Sequence, residues 1–389
     1  MFTKRIRLIR LLGIDVKLDA SWVFLALLVT WSLAAGLFPQ SYPGLDQSTY
    51  WMMGIGGAVG LFVSIIAHEF GHAVVARRYG IPIEDITLFV FGGVANMKRE
   101  PDRALHEFLM AIAGPIVSIL ISIVCYAVLA ATNSLWAFEN LATAEPQPTS
   151  SAIPPVMAYL ALINGMLAVF NMIPAFPLDG GRVFRSVLWG LGGDLKNATK
   201  IASTVGSAFG LFLMVLGVFT FFSGNIITGV WWFILGSFVR NASAMSYRHI
   251  VIKTSLGGRP VTRFMSDGVI SVPPEISLRD FVENYVYRYH HKLYPVTRDG
   301  QVLGAITTHD LREIAPEEWV RRSVSDSMKP VSEGNSVQKD TDAVVALDRM
   351  NENQRARLLV VDGDQVLGII ALKDLLEYLS LRLKLEPDS

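Results

Sequence analysis

Long apolar runs fill the first two thirds of the chain and are missing from the last third. Runs near the ~20 residues needed to cross a bilayer fall at 20–38, 52–76, 108–131, 155–173, 201–222 and 226–245. This pattern predicts six spanning helices. Residues 258–389 read as an ordinary charged, soluble sequence. The predicted organisation is therefore a membrane domain followed by a soluble one.

The polar positions between the runs are one-sided. Lys4, Arg5, Arg7, Arg10 and Lys17 precede the first run, and Arg77, Arg78, Lys98, Arg99 and Arg103 follow the second. Arg182, Arg185, Lys196 and Lys200 follow the fourth, and Arg240, Arg248 and Lys253 follow the sixth. The alternate loops, 39–51, 132–154 and 223–225, hold no Lys or Arg. By the positive-inside rule the N-terminus and the soluble domain both face the cytoplasm. The first run follows basic residues and ends in "LAAG", as a cleaved signal peptide does. Asp15 and Asp19 interrupt its basic region and the stretch is long for such a peptide, so a span is the better reading.

Composition agrees. Of 389 residues 51% are hydrophobic, and the mean hydropathy is +0.40, unusually apolar for a soluble protein. Thirty-four basic residues balance thirty-four acidic ones, which says nothing about partners, and no nucleic-acid partner is expected. The single cysteine, Cys125, sits in an apolar run, so neither a disulfide framework nor a cysteine-based zinc site is available.

Within this apolar background "AHEFGHAVVARR" (67–78) stands out, because ionisable groups at membrane depth are rare and costly. His68 and His72 are four apart and share one face of a helix. That spacing lets two imidazoles bind one Zn²⁺, with Glu69 placed to take a proton from a water on the metal. His-Glu-x-x-His alone is a short pattern with chance matches. Inside an apolar span, though, three polar groups without a metal would have no compensation. A zinc site needs a third protein ligand and an open position for water. The best candidate is Asp179 in "NMIPAFPLDGGRVFRS" (171–186), where Gly180 and Gly181 allow close backbone approach. An aspartate there would serve equally well as a helix N-cap, and spacing alone leaves the two readings level.

"AHEFGH" together with "NMIPAFPLDGGR" resembles the site-2 proteases, the intramembrane zinc metalloproteases, over most of residues 1–250. The resemblance implies that Asp179 is the third ligand beside His68 and His72, with one zinc per chain, and that Glu69 is the catalytic base. It also implies cleavage within or beside a substrate's own transmembrane helix. "AGP" (113–115) resembles the family's small-residue packing motif, but Ser118 stands where an asparagine is expected. The β-rich segment "ITLFVFGGVANM" (86–97), broken by Gly92 and Gly93, predicts a short hairpin between spans two and three. Such a hairpin could offer an edge strand to an unwound substrate. Asn164 and Asn171, on the fourth span, are candidate oxyanion donors or simply interhelical hydrogen bonds. His106 begins "HEFLM" but has Met110 at the second-ligand position, and reads as an interfacial residue.

The soluble part contains a repeat: "YPVTRDGQVLGAITTHDL" (294–311) aligns with "LLVVDGDQVLGIIALKDL" (358–375) at an offset of 64, pairing Gly304 with Gly368 and Asp310 with Asp374. This resembles a tandem CBS pair, and such pairs commonly bind adenine nucleotides between the repeats. The family's motif is intact once, as Gly304, Thr307 and Asp310. The aspartate would hold ribose hydroxyls and the threonine a phosphate. In the second repeat Ala371 replaces the hydroxyl residue while Asp374 remains, which favours one competent site for ATP or AMP. The alternative is a purely structural or dimerising pair, through which a homodimer could form. His290, His291 and His309 read as surface residues.

The expected architecture is a polytopic α-helical membrane protein of about six spans, with a cytoplasmic α/β CBS pair. The expected boundaries are 1–250 for the membrane metalloprotease domain, 251–260 for a linker, 261–316 and 323–380 for the repeats, and 381–389 for a tail. The expected partners are the lipid bilayer and a transmembrane protein substrate, by analogy a tethered transcription regulator. A channel or transporter gated by nucleotide is the rival class. It would spread polar groups along a path, whereas here they concentrate at His68, Glu69, His72 and Asp179.

Overall fold

A computed structural model of the protein describes residues 5–89, 92–97, 100–143 and 146–385. Lys4, Lys98 and Arg99 of the charge pattern lie outside these residues, as do Val90 and Phe91 of the hairpin segment. The chain divides into two compact units, residues 1–248 and 249–389.

The first unit opens with two strands in the basic stretch that precedes the first apolar run. "RIRLIRL" alternates basic and apolar positions and forms β1 (Arg5–Leu11), which turns through Leu12 and Gly13 into β2 (Ile14–Asp19). Both turn residues have positive φ, 48° and 79°, the conformation that a tight two-residue hairpin requires. β2 runs parallel to β3 (Ile83–Phe89), and β3 pairs antiparallel with β4 (Gly92–Met97). The expected hairpin is thus the outer half of a four-stranded sheet of order β1-β2-β3-β4, with β4 at an edge. Lys17 Nζ ties β2 to β3 through Asp85 at 2.7 Å.

The helices follow the apolar runs. α1 (Ala20–Ser32) starts on Asp19, whose carboxylate accepts from the Ser21 N–H. It continues through a π-helical turn (Leu33–Leu37) into α2 (Phe38–Ser41). α3 (Gln47–Arg78) is capped by Asp46 and ends with Arg77 and Arg78, cations that suit the negative end of the helix dipole. α4 (Ala104–Ala131), α5 (Leu135–Thr143), α6 (Ile153–Asn171), α7 (Asp179–Gly192) and α8 (Leu195–Phe222) follow, and α9 (Ile226–Leu256) begins in this unit and runs past residue 248. Among the described residues five segments are long and apolar enough to cross a membrane: 20–41, 47–78, 104–131, 153–171 and 195–222. This is a multi-pass membrane protein. The expected sixth span lies in α9, where Trp231, Trp232, Arg240 and Asn241 dilute the apolar stretch, and α9 falls outside that set.

Large apolar side chains such as Phe24, Leu27 and Phe219 point outward at 66–69% exposure, as lipid-facing surfaces do. Helix contacts rely instead on small residues. A Cβ added at Gly217 of α8 would lie 2.7 Å from the Gly229 carbonyl of α9, so these backbones nearly touch.

The second unit carries the repeats as two three-stranded sheets. β5 (Leu293–Arg298), β6 (Gln301–Thr307) and β7 (Lys329–Pro330) form one, in the order β5-β6-β7. β8 (Ser336–Gln338), β9 (Arg357–Asp362) and β10 (Gln365–Ala371) form the other, in the order β10-β9-β8. The aligned glycines have matching roles. Gly304 admits the Lys329 carbonyl and Gly368 admits that of Ser266, at 2.4 and 2.9 Å from where a Cβ would stand. The repeats differ after their aspartates, with a 3-10 turn (Asp310–Glu313) in the first and a helix (Leu372–Leu385) in the second. α9 extends through the expected linker as far as Leu256.

Candidate metal and catalytic site

α3 is apolar up to Ala67 and then presents His68, Glu69 and His72 within two turns. α4 packs beside it because both helices are small at the crossing. An added Cβ at Gly71 would stand 2.9 Å from the Ala113 carbonyl and 2.9 Å from Val117. This proximity lets α4 hold both imidazoles from behind. His68 Nδ1 lies 2.8 Å from the Ser118 hydroxyl, and His72 Nδ1 lies 2.7 Å from the Met110 carbonyl oxygen. A carbonyl only accepts, so His72 donates from Nδ1 and its Nε2 keeps a free lone pair. Donation from His68 to the serine oxygen gives the same tautomer.

Both Nε2 atoms face Asp179. Its Oδ2 is 3.0 Å from His68 Nε2 and 3.2 Å from His72 Nε2, and the two nitrogens are 3.2 Å apart. Asp179 is the first residue of α7 and the cap position belongs to Leu178, so its carboxylate turns to the imidazoles instead of closing the helix. Gly180 and Gly181 permit this. A Cβ on Gly180 would meet the Met172 carbonyl at 2.3 Å, and one on Gly181 would meet the Phe176 nitrogen at 2.7 Å. The loop 172–178 is thereby folded tightly over the start of α7.

Two nitrogen lone pairs and a carboxylate oxygen aimed at one point form a donor set suited to zinc. The space they face is kept open by Gly114 of α4, where a Cβ would stand 2.2 Å from His72 Nε2 and 2.6 Å from His68 Nε2. These residues fit the metal that the sequence implies. His68, His72 and Asp179 are the metal-capable cluster found among the described residues. Glu69 lies against β4, since a Cβ on Gly93 would be 2.6 Å from Glu69 Cγ. Gly92 opens the same strand.

Other expected residues have polar partners of their own. Asn164 is fully buried, and its amide donates to Ser64 Oγ at 3.0 Å and to the Leu160 carbonyl at 2.8 Å. Asn171 donates to the Leu167 carbonyl at 3.0 Å. Both bind within or between helices, and neither is hydrogen-bonded to the His68–Asp179 cluster. His106 stacks on Tyr79 at 4.1 Å between ring centroids. Ser118 has a polar partner after all, which the missing asparagine had put in doubt.

In the second unit Thr307 and Asp310 bind each other. The Asp310 Oδ2 accepts from the Thr307 N–H at 2.9 Å and from its hydroxyl at 2.5 Å, while Oδ1 meets Lys329 Nζ at 2.5 Å. Burial pushes the Asp310 carboxyl up, but Lys329 and Thr307 outweigh it and hold the group below its ordinary range. In the second repeat Asp374 accepts the Ala371 N–H, at 3.3 Å.

Residues 56–214 match peptidase family M50, and residues 261–317 and 325–381 each match the CBS domain. The chain is 33% identical over 381 residues to Rip3 of Mycobacterium tuberculosis, assigned as a zinc metalloprotease, covering 97% of this chain and 94% of that one. It is 31% identical over 377 residues to the zinc metalloprotease MJ0392 of Methanocaldococcus jannaschii, covering 97% and 96%. Among solved structures, the site-2 protease from Methanocaldococcus jannaschii aligns at 30% identity and a TM-score of 0.40, covering 63% of this chain and 96% of that one.

Proposed function

The chain belongs to peptidase family M50, the site-2 zinc metalloproteases, and we propose that it cleaves peptide bonds within or beside the transmembrane segments of membrane-anchored substrates. The observation that carries this reading is the convergence of His68, His72 and Asp179, with Glu69 beside them, in a unit whose helices are otherwise apolar.

His68 Nε2, His72 Nε2 and a carboxylate oxygen of Asp179 would hold one zinc. Bound there, zinc supplies Lewis acidity that lowers the pKa of a water and polarises the scissile carbonyl. The Glu69 carboxylate accepts the proton of the attacking water and returns it to the leaving amine. Ser118 and Met110 hold the imidazoles in the tautomer that ligation needs. A helical substrate must first unwind, because helical hydrogen bonds bury the carbonyl that is to be attacked. Strand β4, at the sheet edge and against Glu69, offers the backbone partners that an unwound segment would otherwise lack at membrane depth. The N-terminus and the CBS pair face the cytoplasm, as the distribution of Lys and Arg supports. ATP or AMP binds the first CBS repeat at Gly304, Thr307 and Asp310, and this binding modulates cleavage.

Glu69→Gln tests the mechanism. The variant should keep its zinc and lose roughly 10²–10⁴-fold in cleavage of a transmembrane substrate. Full activity would sink the mechanism. Asp179→Asn should lose zinc, because an amide is a poorer ligand than a carboxylate, and unchanged metal content would remove Asp179 from the ligand set.

A further inference from the structure

The two histidines and the aspartate reach the site by separate routes. α3 carries the imidazoles and α4 holds both from behind, whereas Asp179 arrives on α7 after a tight loop. Their meeting depends on the register between α7 and α4.

A buried ion pair ties the two helices together. Glu107, in the first turn of α4, is 1% exposed, and Arg185 of α7 is 5% exposed. Arg185 donates from Nε to Glu107 Oε1 at 2.8 Å and from Nη2 to the same oxygen. Arg185 lies six positions past Asp179, about 9 Å along the helix at about 1.5 Å per residue. Its guanidinium carbon also sits 5.4 Å from the centroid of the Phe176 ring, in the loop that precedes Asp179. The Phe176 carbonyl accepts from Ser243 Oγ of α9 at 2.9 Å, and the Ser243 carbonyl accepts from Ser203 of α8. The loop and α7 are therefore gripped at points away from the metal ligands.

A buried ion pair is a poor way to gain stability, since desolvation offsets much of the attraction and an apolar pair packs as well. What it adds is direction. A planar guanidinium accepts its partner in few orientations, so it fixes one helix against another at a single position. Here the partner helix is the one that bears Met110, Gly114 and Ser118. We propose that Glu107 and Arg185 are positioning residues for the metal centre, holding Asp179 at ligand distance from the imidazoles, with Ser243 anchoring the loop between. The inference rests on the zinc reading above.

The test uses the full-length protein in detergent, stripped of metal by chelation and titrated with zinc against a chromophoric competitor. Glu107→Gln with Arg185→Met removes both charges at similar volume, leaving no lone buried ion. This double variant should fold, as circular dichroism reports, and bind zinc about 10–100-fold more weakly. Arg185→Lys keeps the charge but not the fork, and should fall between it and the wild type. Wild-type zinc affinity in a folded double variant would overturn the proposal, whatever happens to Tm. If the double variant does not fold, Ser243→Ala decides. It should weaken zinc binding about tenfold, at the low end of that range, and undiminished binding would overturn the proposal. A wild-type protein that takes up no zinc, or an Asp179→Asn variant that binds it normally, would instead defeat the zinc reading itself.

Discussion

Gly114 shows how much of this site is made of absence. Any side chain there must displace the imidazoles, because its first carbon would lie 2.2 Å from His72 Nε2 and 2.6 Å from His68 Nε2. Gly114→Ala should lower zinc affinity more than about 100-fold, beyond what a lost partner behind a ligand costs. The helix should not suffer, since alanine favours helix more than glycine does. Zinc content measured beside helicity would separate these effects, and full occupancy in the alanine variant would mean the metal lies elsewhere. Sequence reading found the residues that carry polarity into an apolar run: His68, Glu69 and His72 stand out by charge and four-residue spacing. Asp179 was level with a helix cap until its motif was compared with a family. Gly114, Met110 and Ser118 were not assigned, because a backbone carbonyl, a missing side chain and a small hydroxyl become informative only when a second helix lies beside the first.

The hairpin β3–β4 was legible from its β-rich segment and paired glycines, yet β1 and β2 were overlooked. The alternation of arginine with isoleucine and leucine in β1, and of Asp and Lys with Ile, Val and Leu in β2, is a strand signal, but it competes with the charge signal that marks a cytoplasmic flank. In the second unit the repeat was readable by alignment, whereas Lys329 was not. It reaches Asp310 only because the short strand β7 pairs with β6. That pair makes two predictions. Calorimetry on the full-length protein should detect ATP or AMP binding, which Asp310→Ala abolishes and Asp374→Ala spares. No binding to the wild type at millimolar concentration would reduce the CBS pair to a scaffold, and retention in Asp310→Ala would put the nucleotide elsewhere. The second concerns acid. The Asp310 carboxyl is held below its ordinary value in the folded protein, so its stabilising contribution is complete above about pH 4, the unfolded value. It is lost as pH falls through the lower folded-state value. Unfolding curves of Asp310→Asn and wild type should therefore differ near neutrality and converge in acid.

The number of crossings decides which side of the membrane each unit occupies. Among the described residues five segments are apolar enough to span, and α9 is the sixth helix in question. If α9 crosses, the loop bearing the exposed Glu139 faces outward and the exposed Asp299 faces the cytoplasm. Single cysteines at these positions, in a background without Cys125, should then react differently with an impermeant thiol reagent on intact cells, Glu139→Cys strongly and Asp299→Cys weakly. Labelling of both would mean that α9 does not cross and that the Lys and Arg pattern was misread.

His68 and Asp179 stand 111 residues apart in the chain, and this separation gives biosynthesis a timetable. Translation proceeds at about 5–20 residues per second, so roughly 5–20 seconds pass between the emergence of the first ligand and that of the last. During that interval the nascent chain holds the motif that looks most like a protease and cannot complete a metal centre with it. Neighbouring membrane proteins at the insertion machinery are exposed only to an unarmed enzyme. A metal centre built on these three side chains cannot form before α7 has docked, so completed assembly of the unit is a precondition of activity.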